Sequence, residues 1–431
     1  MTNTFAPVAP AKPAVLRRTI IGTGVGNAVE WYDWAIYATF APFISAQLFS
    51  KADPASAILA TLAIFAVGFV ARPIGGLVFG WIGDRVGRKA AMTLAVGLAS
   101  AGSLLIGIAP TFETLGAFAS IVLLIARLVQ GFAHGGELPS SQTYLSEMAP
   151  REKRGFWATL IYFSGTVGIL SGILLGAVLT QTLSAESMMA WGWRIPFLLG
   201  AAFGLYALVM RVRMRESDTF IAEKTHRRAP IWPQIVAHRR QAAQVIGLTI
   251  GLTVAYYVWG VSAPAYAINA LGMEAGHALW AGVVGNIVFL LALPLWGKLS
   301  DKIGRKPVLG MGALGAALLH FPMTWLLRDE PWQLAVSMGV MLIFLAASAA
   351  IVPAVYAELF PTSIRTIGVG IPYSICVAVF GGTAAYLQQG LGVWFGETGH
   401  TIFASYTVLL LLISFACIFT IAETKGKDLR D

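Results

Sequence analysis

Long apolar segments alternate with short polar ones along nearly the whole chain of 431 residues. Each apolar segment is long enough for a helix that crosses a bilayer, which takes about 20 residues. The pattern predicts an all-α polytopic membrane protein with twelve spans. The predicted spans are 16–48, 55–83, 89–110, 114–147, 154–184 and 191–213, followed by 241–271, 276–299, 307–327, 332–358, 364–394 and 401–423.

The distribution of basic residues predicts the orientation of these spans. With a cytoplasmic N-terminus, the loops on that side and the two tails carry 25 of the 30 Lys and Arg residues. Because positive charge collects in cytoplasmic loops, we expect both termini in the cytoplasm. The chain is divided into a cytoplasmic tail 1–15, a six-helix bundle 16–213, a cytoplasmic linker 214–240, a six-helix bundle 241–423 and a cytoplasmic tail 424–431.

Two motifs recur in the same order in both halves of the chain. Segments 80–89 and 297–306 both read Gly-x-x-x-Asp-x-x-Gly-Arg-Lys, and segments 147–154 and 358–365 both read Glu-x-x-Pro-x-x-x-Arg. Both copies of each motif fall on the same side of the membrane in the predicted topology. The repeat therefore predicts two parallel six-helix halves related by an axis along the membrane normal.

Several motifs resemble a known transporter family. The repeated Gly-x-x-x-Asp loop and segment 127–131, Arg-x-x-Gln-Gly, are similar to the major facilitator superfamily. Segments 26–33, 72–76, 130–137 and 191–197 resemble, more narrowly, its metabolite:proton symporter family. The resemblance covers the whole chain and implies the major facilitator fold.

Within that family, segments 143–149 and 379–386 are most similar to alpha-ketoglutarate permeases. The resemblance implies a symporter that imports a small organic acid, a 2-oxo acid or a dicarboxylate such as alpha-ketoglutarate, together with protons by alternating access. Two alternatives stay open for the substrate: an aromatic or hydroxylated acid of the shikimate type, and a zwitterionic betaine. A membrane receptor that transports nothing is the alternative from another functional class.

Charged side chains inside the predicted spans are the first candidates for function. A charge at the bilayer centre costs about 2.5–3.5 kcal/mol on insertion scales, so such residues are functional hypotheses by default. All the clear cases lie in the first half, and a histidine shares their face of span four. The predicted proton-coupling residues are Asp33, Arg127, Glu30, Glu137 and His134.

Asp33 and Arg127 are the leading candidates for the coupling pair. Both lie deep in their spans, and the polar faces of spans one and four suggest that they meet. The resemblance to sugar:proton symporters, which place an Asp of span one against an Arg of span four, supports a direct ion pair. Protonation of Asp33 would then release Arg127. The alternative is a static pair that only holds two helices together.

Substrate contacts are expected from two arginines and from neutral groups of both halves. An arginine offers two parallel donors to a carboxylate, although Arg72 also suits a structural or gating role. Interfacial aromatic belts explain aromatic residues equally well. The predicted substrate-binding residues are Arg72, Arg127, Tyr37, Gln130, Tyr256, Trp259, Asn286, Tyr373 and Gln388.

The charged residues of the repeated loops are predicted to lock the cytoplasmic side. They lie near the membrane face, too far from a central cavity to touch a substrate. The predicted gating residues are Asp84, Arg85, Arg88, Glu147, Arg154, Asp301, Arg305, Glu358 and Arg365.

Composition restricts the remaining function classes. Only 12% of the residues are charged and the mean hydropathy is +0.72, which excludes an ordinary water-soluble enzyme. The net charge of +9 sits in loops between spans, so it favours membrane orientation over nucleic-acid binding. The two cysteines, Cys376 and Cys417, have no metal-ligand spacing. We expect no cofactor and no metal, and a monomer in the inner or plasma membrane.

Overall fold

The structure, a computed structural model, describes residues 13–85, 88–212, 233, 236–361 and 364–429. Within these ranges, twelve helical elements, α1 to α12, match the twelve predicted spans. The first six are α1 (Pro13–Leu48), α2 (Pro54–Arg85), α3 (Arg88–Gly107), α4 (Phe118–Ala133 and Glu137–Met148), α5 (Arg154–Thr182) and α6 (Ile195–Val212).

The second six helices repeat this arrangement. They are α7 (Arg239–Tyr256 and Ala263–Ala270), α8 (Ala275–Ile303), α9 (Arg305–Leu326), α10 (Pro331–Leu359), α11 (Arg365–Cys376 and Gly382–Phe395) and α12 (Glu397–Ile418). Short helices at Phe112–Leu115 and Ala185–Ala190 lie in loops. Eight helices of the described chain are long and apolar enough to cross a bilayer. The predicted all-α polytopic fold is confirmed, whereas the predicted linker lies mostly outside the described residues.

Glycines let the helices that surround the centre of the molecule pack closely. A Cβ on Gly168 of α5 would lie 2.1 Å from the carbonyl oxygen of Ala28 in α1. A Cβ on Gly297 of α8 would lie 2.4 Å from Thr159 Cγ2 in α5. Helices α5 and α8 belong to different halves, so this contact joins the two halves directly.

Three membrane helices are interrupted near the middle of the bundle. A 3₁₀ turn at His134–Gly136 divides α4, and π-helical turns divide α7 at Tyr257–Ser262 and α11 at Val377–Gly381. The prediction of one continuous span at 114–147 is corrected at this point. Gly135 lies so close to α2 that its Cβ would be 2.0 Å from the carbonyl oxygen of Arg72. Interruptions of this kind are frequent at functional sites.

Helix α12 ends before its predicted boundary. The prediction placed the end at residue 423, but the helix stops at Ile418. Both carboxylate oxygens of Glu423 instead accept backbone hydrogen bonds at the start of α9, from Arg305 N at 2.9 Å and Lys306 N at 3.1 Å. This cap satisfies amide groups that the helix itself leaves without partners, and it holds the chain after α12 against the start of α9.

Candidate functional site

Five ionisable side chains form a buried group within the first half. We call Glu30, Asp33, Arg72, Arg127 and His134 the N-half charge cluster. Arg72 Nη2 lies 3.8 Å from Glu30 Oε1, and His134 Nε2 lies 3.8 Å from Asp33 Oδ2. Helices α1, α2 and α4 contribute these residues, and each side chain is buried or nearly so. The structure thus brings together five residues that sequence reasoning singled out.

The direct ion pair between Asp33 and Arg127 is not found among the contacts of the described residues. Arg127, which is completely buried, donates from Nη1 to Gln130 Oε1 at 2.9 Å. Gln130 Nε2 donates to Ser103 Oγ at 2.8 Å, and Ser103 Oγ donates to Asp33 Oδ1 at 3.0 Å. Three hydrogen bonds therefore connect the two charges, because α3 places a serine between α1 and α4.

The same chain of hydrogen bonds includes Gln130, one of the predicted substrate contacts. Its amide is occupied on both sides, by Arg127 and by Ser103. Gly102 makes this possible, since a Cβ there would lie 2.4 Å from Gln130 Cγ. Sequence reasoning missed Ser103; the available signal was the small, polar Gly102-Ser103 pair inside an apolar span.

The two arginines of the cluster share one aromatic partner. The guanidinium carbon of Arg72 lies 4.0 Å from the centre of the Trp34 ring, and that of Arg127 lies at the same distance. Arg127 also stacks on Tyr37 at 4.4 Å. Cation–π contacts gain strength where water is absent. Trp34 therefore stabilises two positive charges, of which that of Arg127 is completely buried and that of Arg72 largely so.

An aromatic cavity lies between the two halves, beside this cluster. It is lined by Trp31, Tyr162, Thr249, Leu252, Thr253, Tyr256, Tyr257 and Tyr373, which we call the aromatic cavity. Of these, Tyr256 and Tyr373 belong to the predicted substrate-binding residues. The lining carries hydroxyl groups and rings but no charged side chain. Arg72 and Arg127, the two predicted arginine contacts, do not line the cavity and lie behind its aromatic rings.

Four other predicted substrate contacts lie elsewhere. Tyr37 donates to the carbonyl oxygen of Thr61 at 2.9 Å, and Trp259 Nε1 lies 3.3 Å from His320 Nδ1. Asn286 Nδ2 donates to two backbone carbonyls, those of residues 260 and 282. Each of these bonds satisfies a polar group inside an apolar bundle. They hold helices together, and Gln388 of α11, only half-buried, is likewise not a lining residue of the cavity.

Salt bridges join the two halves at the side of the bundle that the sequence predicts to face the cytoplasm. Each arginine of the repeated Glu-x-x-Pro-x-x-x-Arg motif meets the glutamate of the other copy. Arg154 Nη1 lies 2.9 Å from Glu358 Oε1, and Arg365 Nη1 lies 2.6 Å from Glu147 Oε1. The two pairs are related to each other by the pseudo-symmetry of the halves.

The second copy of the Gly-x-x-x-Asp loop reinforces this closure. The Asp301 carboxylate accepts from the backbone amides of Gly155 and Phe156, at 2.8 and 2.9 Å, and so caps α5 of the other half. Arg305 Nη1 lies 2.9 Å from Asp301 Oδ1, and its Nη2 lies 3.6 Å from Glu358 Oε1. We call Glu147, Arg154, Asp301, Arg305, Glu358 and Arg365 the cytoplasmic gate, after the side and the role that the sequence predicts for them.

Four predicted residues have side chains that the structure does not describe. Asp84, Arg85 and Arg88 belong to the first copy of the loop, and Glu137 to the second part of α4. Their side chains lie outside the described residues.

The segment after α12 crosses the cytoplasmic gate. Arg154 Nη1 donates to the carbonyl oxygen of Lys427 at 2.9 Å, and Arg365 Nη2 donates to that of Leu429 at 2.8 Å. Both arginines that bridge the halves therefore also hold the end of the chain. The described part of the predicted cytoplasmic tail 424–431 is thus held against the gate residues.

Comparison with known protein sequences finds transporters in each case. A model of the sugar (and other) transporter family matches residues 19–231 and 231–431. The alpha-ketoglutarate permease of Escherichia coli strain K12 is 35% identical, over 95% of this chain and 94% of its own length. A putative proline/betaine transporter of Staphylococcus aureus strain COL is 32% identical, over 96% of this chain and 90% of its own length.

Solved structures agree on the fold. A crystal structure of a D-xylose-proton symporter superposes with a TM-score of 0.75 at 20% identity, covering 96% of this chain and 100% of that chain. An inward-open structure of the xylose transporter from E. coli gives a TM-score of 0.70 at 20% identity, covering 96% of this chain and 98% of that one. At this level of identity the likeness shows the architecture alone.

Proposed function

Because the chain belongs to the sugar (and other) transporter family of the major facilitator superfamily, we propose that it is a proton-coupled symporter for a small organic acid. The substrate class is a 2-oxo acid or dicarboxylate such as alpha-ketoglutarate. Import proceeds by alternating access, with the two halves rocking about the aromatic cavity. The observation that carries the proposal is the N-half charge cluster.

Charge balance in that cluster supports coupled movement of a proton and an anion. Glu30 and Asp33 offset Arg72 and Arg127 when both acids are ionised and His134 is neutral. A proton that enters alone leaves an uncompensated positive charge, and burying such a charge inside the membrane costs several kcal/mol. A carboxylate that enters with the proton restores the balance. Binding of the two ligands is therefore mutually favourable, which symport requires.

A short aromatic path connects the cluster to the cavity. The Tyr257 ring, which lines the cavity, lies 5.3 Å from the ring of Phe69. The guanidinium of Arg72 lies 4.5 Å from Phe69. The tyrosine hydroxyls of the lining suit a carboxylate as hydrogen-bond donors, while the positive charges behind the rings attract the anion over this short distance.

The lining itself favours a second candidate, a zwitterionic betaine. Cages of aromatic rings are the usual way in which proteins bind quaternary ammonium groups. Trp31 lies with its ring centre 6.2 Å from that of Tyr162 and 5.8 Å from that of Tyr256. The similarity to a proline/betaine transporter points in the same direction. An aromatic or hydroxylated acid would also stack on these rings.

Flux measurements in proteoliposomes test the proposal. Purified protein is reconstituted, and uptake of radiolabelled alpha-ketoglutarate and glycine betaine is followed with and without an imposed pH gradient, acid outside. We expect accumulation of the acid that a protonophore abolishes. Accumulation of betaine alone replaces the substrate class but keeps symport. Flux that ignores the pH gradient overturns symport, and binding without flux favours the receptor.

The cellular setting is part of the same proposal. We place the protein in the inner membrane of a bacterium as a monomer, with both termini in the cytoplasm, because basic residues collect in the loops on that side. Protease protection of epitope tags at the two ends in spheroplasts tests this orientation. Digestion of either tag from outside contradicts it.

A further inference from the structure

We propose that Ser103 is a positioning residue for proton coupling, which links the protonation of Asp33 to the charge of Arg127. This inference rests on the proposed symport and adds a member of α3 to its machinery. Ser103 is completely buried and donates to the acid while it accepts from Gln130. It thus stands between two charges that do not touch.

The direction of the hydrogen bonds is fixed at both ends of this chain. Arg127 can only donate, so the side-chain oxygen of Gln130 must face it and the amide nitrogen must face Ser103. Ionised Asp33 can only accept, so the Ser103 hydroxyl hydrogen must point at Asp33. All three bonds are consequently polarised in one sense, which strengthens each of them.

Arg127 depends on this chain more than a surface arginine would. Its Nε and Nη2 are buried and find no hydrogen-bond acceptor within the described part of the protein. Its one bond there goes to Gln130. When Asp33 takes up a proton, the chain loses its negative end, and all three bonds weaken up to Arg127, whose charge is then less well compensated. The guanidinium is then ready for a carboxylate.

The behaviour of a neighbouring serine shows that this contact is specific. Ser100, almost one turn earlier on α3, donates to the carbonyl oxygen of Val96 in its own helix, at 2.8 Å. Serines in membrane helices commonly bond in this way. Ser103 bonds across helices instead, and Gly200 of α6 leaves room for its partner, since a Cβ there would lie 2.8 Å from Asp33 Oδ1.

Other ionisable groups surround Asp33, and the test must separate their effects. His134 of α4 approaches it at 3.8 Å. Tyr32 of α1 and Arg127 of α4 interact with it electrostatically. The pair formed by Glu30 of α1 and Arg72 of α2 completes the cluster around it. In α3 and α6 the nearest contacts are the uncharged Ser103 and Gly200.

The experiment compares Ser103→Ala with the matched control Ser100→Ala and with Ser103→Thr, which restores a hydroxyl. Each variant is assayed for accumulation driven by a pH gradient, for exchange without a gradient and for the pH dependence of uptake. We expect Ser103→Ala to lose roughly tenfold in accumulation while exchange stays within about twofold. Its pH profile should move to higher pH, because ionised Asp33 has lost a donor.

Ser100→Ala should behave like the unmodified protein, and Ser103→Thr should recover part of the accumulation. In a background of Asp33→Asn, the substitution Ser103→Ala should have no further effect on exchange or on its pH profile. An unchanged pH profile and accumulation in Ser103→Ala overturn the inference while symport stands. A shift of the pH profile by Ser103→Ala that persists in the Asp33→Asn background overturns it as well. Lack of pH-driven uptake by the unmodified protein overturns the proposed function instead.

Discussion

The protein handles buried charge in two different ways. In the N-half charge cluster, the contacts between opposite charges are long, at 3.8 Å for Glu30 with Arg72, or indirect. In the cytoplasmic gate they are short, at 2.9 Å for Arg154 with Glu358. The first group lies within one half of the molecule, and the second joins the two halves. Long contacts suit charges that must change partners during transport. Short contacts suit salt bridges that must keep a closed state stable.

The difference in distance follows from what happens to the charges in each region. The cluster must take up a proton, whereas the gate charges regain contact with water when the gate opens. A tight ion pair in a dry interior resists protonation, because its charges stabilise each other strongly. An acid that is connected to its arginine only through Ser103 and Gln130 loses less electrostatic stabilisation when it takes up a proton. The gate is exposed to the cytoplasm as soon as it opens, so its charges regain water and the desolvation cost is temporary. The distance between opposite charges thus distinguishes a site that titrates from salt bridges that hold a closed state.

Neutralising Asp33 has the largest expected effect on the cluster. Asn at this position imitates the protonated acid, so the chain of hydrogen bonds to Arg127 loses its ionised end permanently. We expect accumulation in Asp33→Asn to fall to the level of equilibration, while exchange of substrate across the membrane stays measurable. The assay compares uptake under a pH gradient with counterflow in the same proteoliposomes. Retention of full accumulation would assign coupling to Glu30, Glu137 or His134 instead.

Opening the gate is the next largest effect. Glu358 is fully buried and receives bonds from Arg154 and Thr424. Removal of one partner from a buried ion pair costs about 3–5 kcal/mol, so Glu358→Gln should shift the population toward a state open to the cytoplasm. Spin labels at the cytoplasmic ends of α6 and α12 report this as a longer distance.

The exposed pair of Lys51 and Glu113 provides the control for this shift. It lies in the loops of the opposite side, where water already surrounds both charges. Glu113→Gln should leave the label distances unchanged. Equal distances in Glu358→Gln and in the unmodified protein would show that the salt bridges do not determine the closed state.

Sequence patterns predicted the gate better than the centre of the protein. The repeated motif contains both partners of each gate pair, and the pseudo-symmetry of the halves requires that the two pairs be equivalent; the structure shows that each arginine meets the glutamate of the other copy. The indirect connection of Asp33 to Arg127 depends on how far α3 enters between α1 and α4. That depth is set by Gly102 and by packing across three helices, which hydropathy does not contain. The spans were predictable for the opposite reason, since each depends on local composition alone.

Substitution of Trp31 sharpens the assignment of the substrate. The ring belongs to the lining of the aromatic cavity, and its Nε1 is buried without a hydrogen-bond partner among the described residues. Phe keeps a smaller ring and removes the donor. We expect Trp31→Phe to raise KM by about threefold to tenfold for a carboxylate that accepts this hydrogen bond. The control is Trp325→Phe, because the Trp325 side chain is exposed on the outer surface of α9.

The identity of the affected ligand distinguishes the two candidates. A betaine depends on the indole face, which is the best ring for cation–π contacts, so its KM should rise more than that of an oxo acid if the cavity is a cage for cations. The measurement is the KM of each ligand in counterflow for both variants. An unchanged KM for every ligand would remove Trp31 from the binding site.

The smallest effect concerns the tail that crosses the gate. Burial alone would raise the pKa of Glu423, but the backbone amides of Arg305, Lys425 and Lys306 hold it below its usual value. Because this pKa is lower in the folded protein, the cap contributes its full stability above about pH 5 and loses it as the pH falls through the lowered pKa. Helix caps with partial exposure contribute about 0.5 kcal/mol.

We therefore expect Glu423→Gln to accelerate hydrogen exchange in residues 424–429 by about twofold at neutral pH and to remove its dependence on acid. The unmodified protein should approach the exchange of the variant only as the pH falls below the lowered pKa of Glu423, after correction for the intrinsic rates. Glu397→Gln, at the start of α12 and on the other side of the membrane, serves as the control. Exchange in the tail that responds equally to both substitutions would mean that the cap on α9 does not hold it. The gate would then rest on its salt bridges alone.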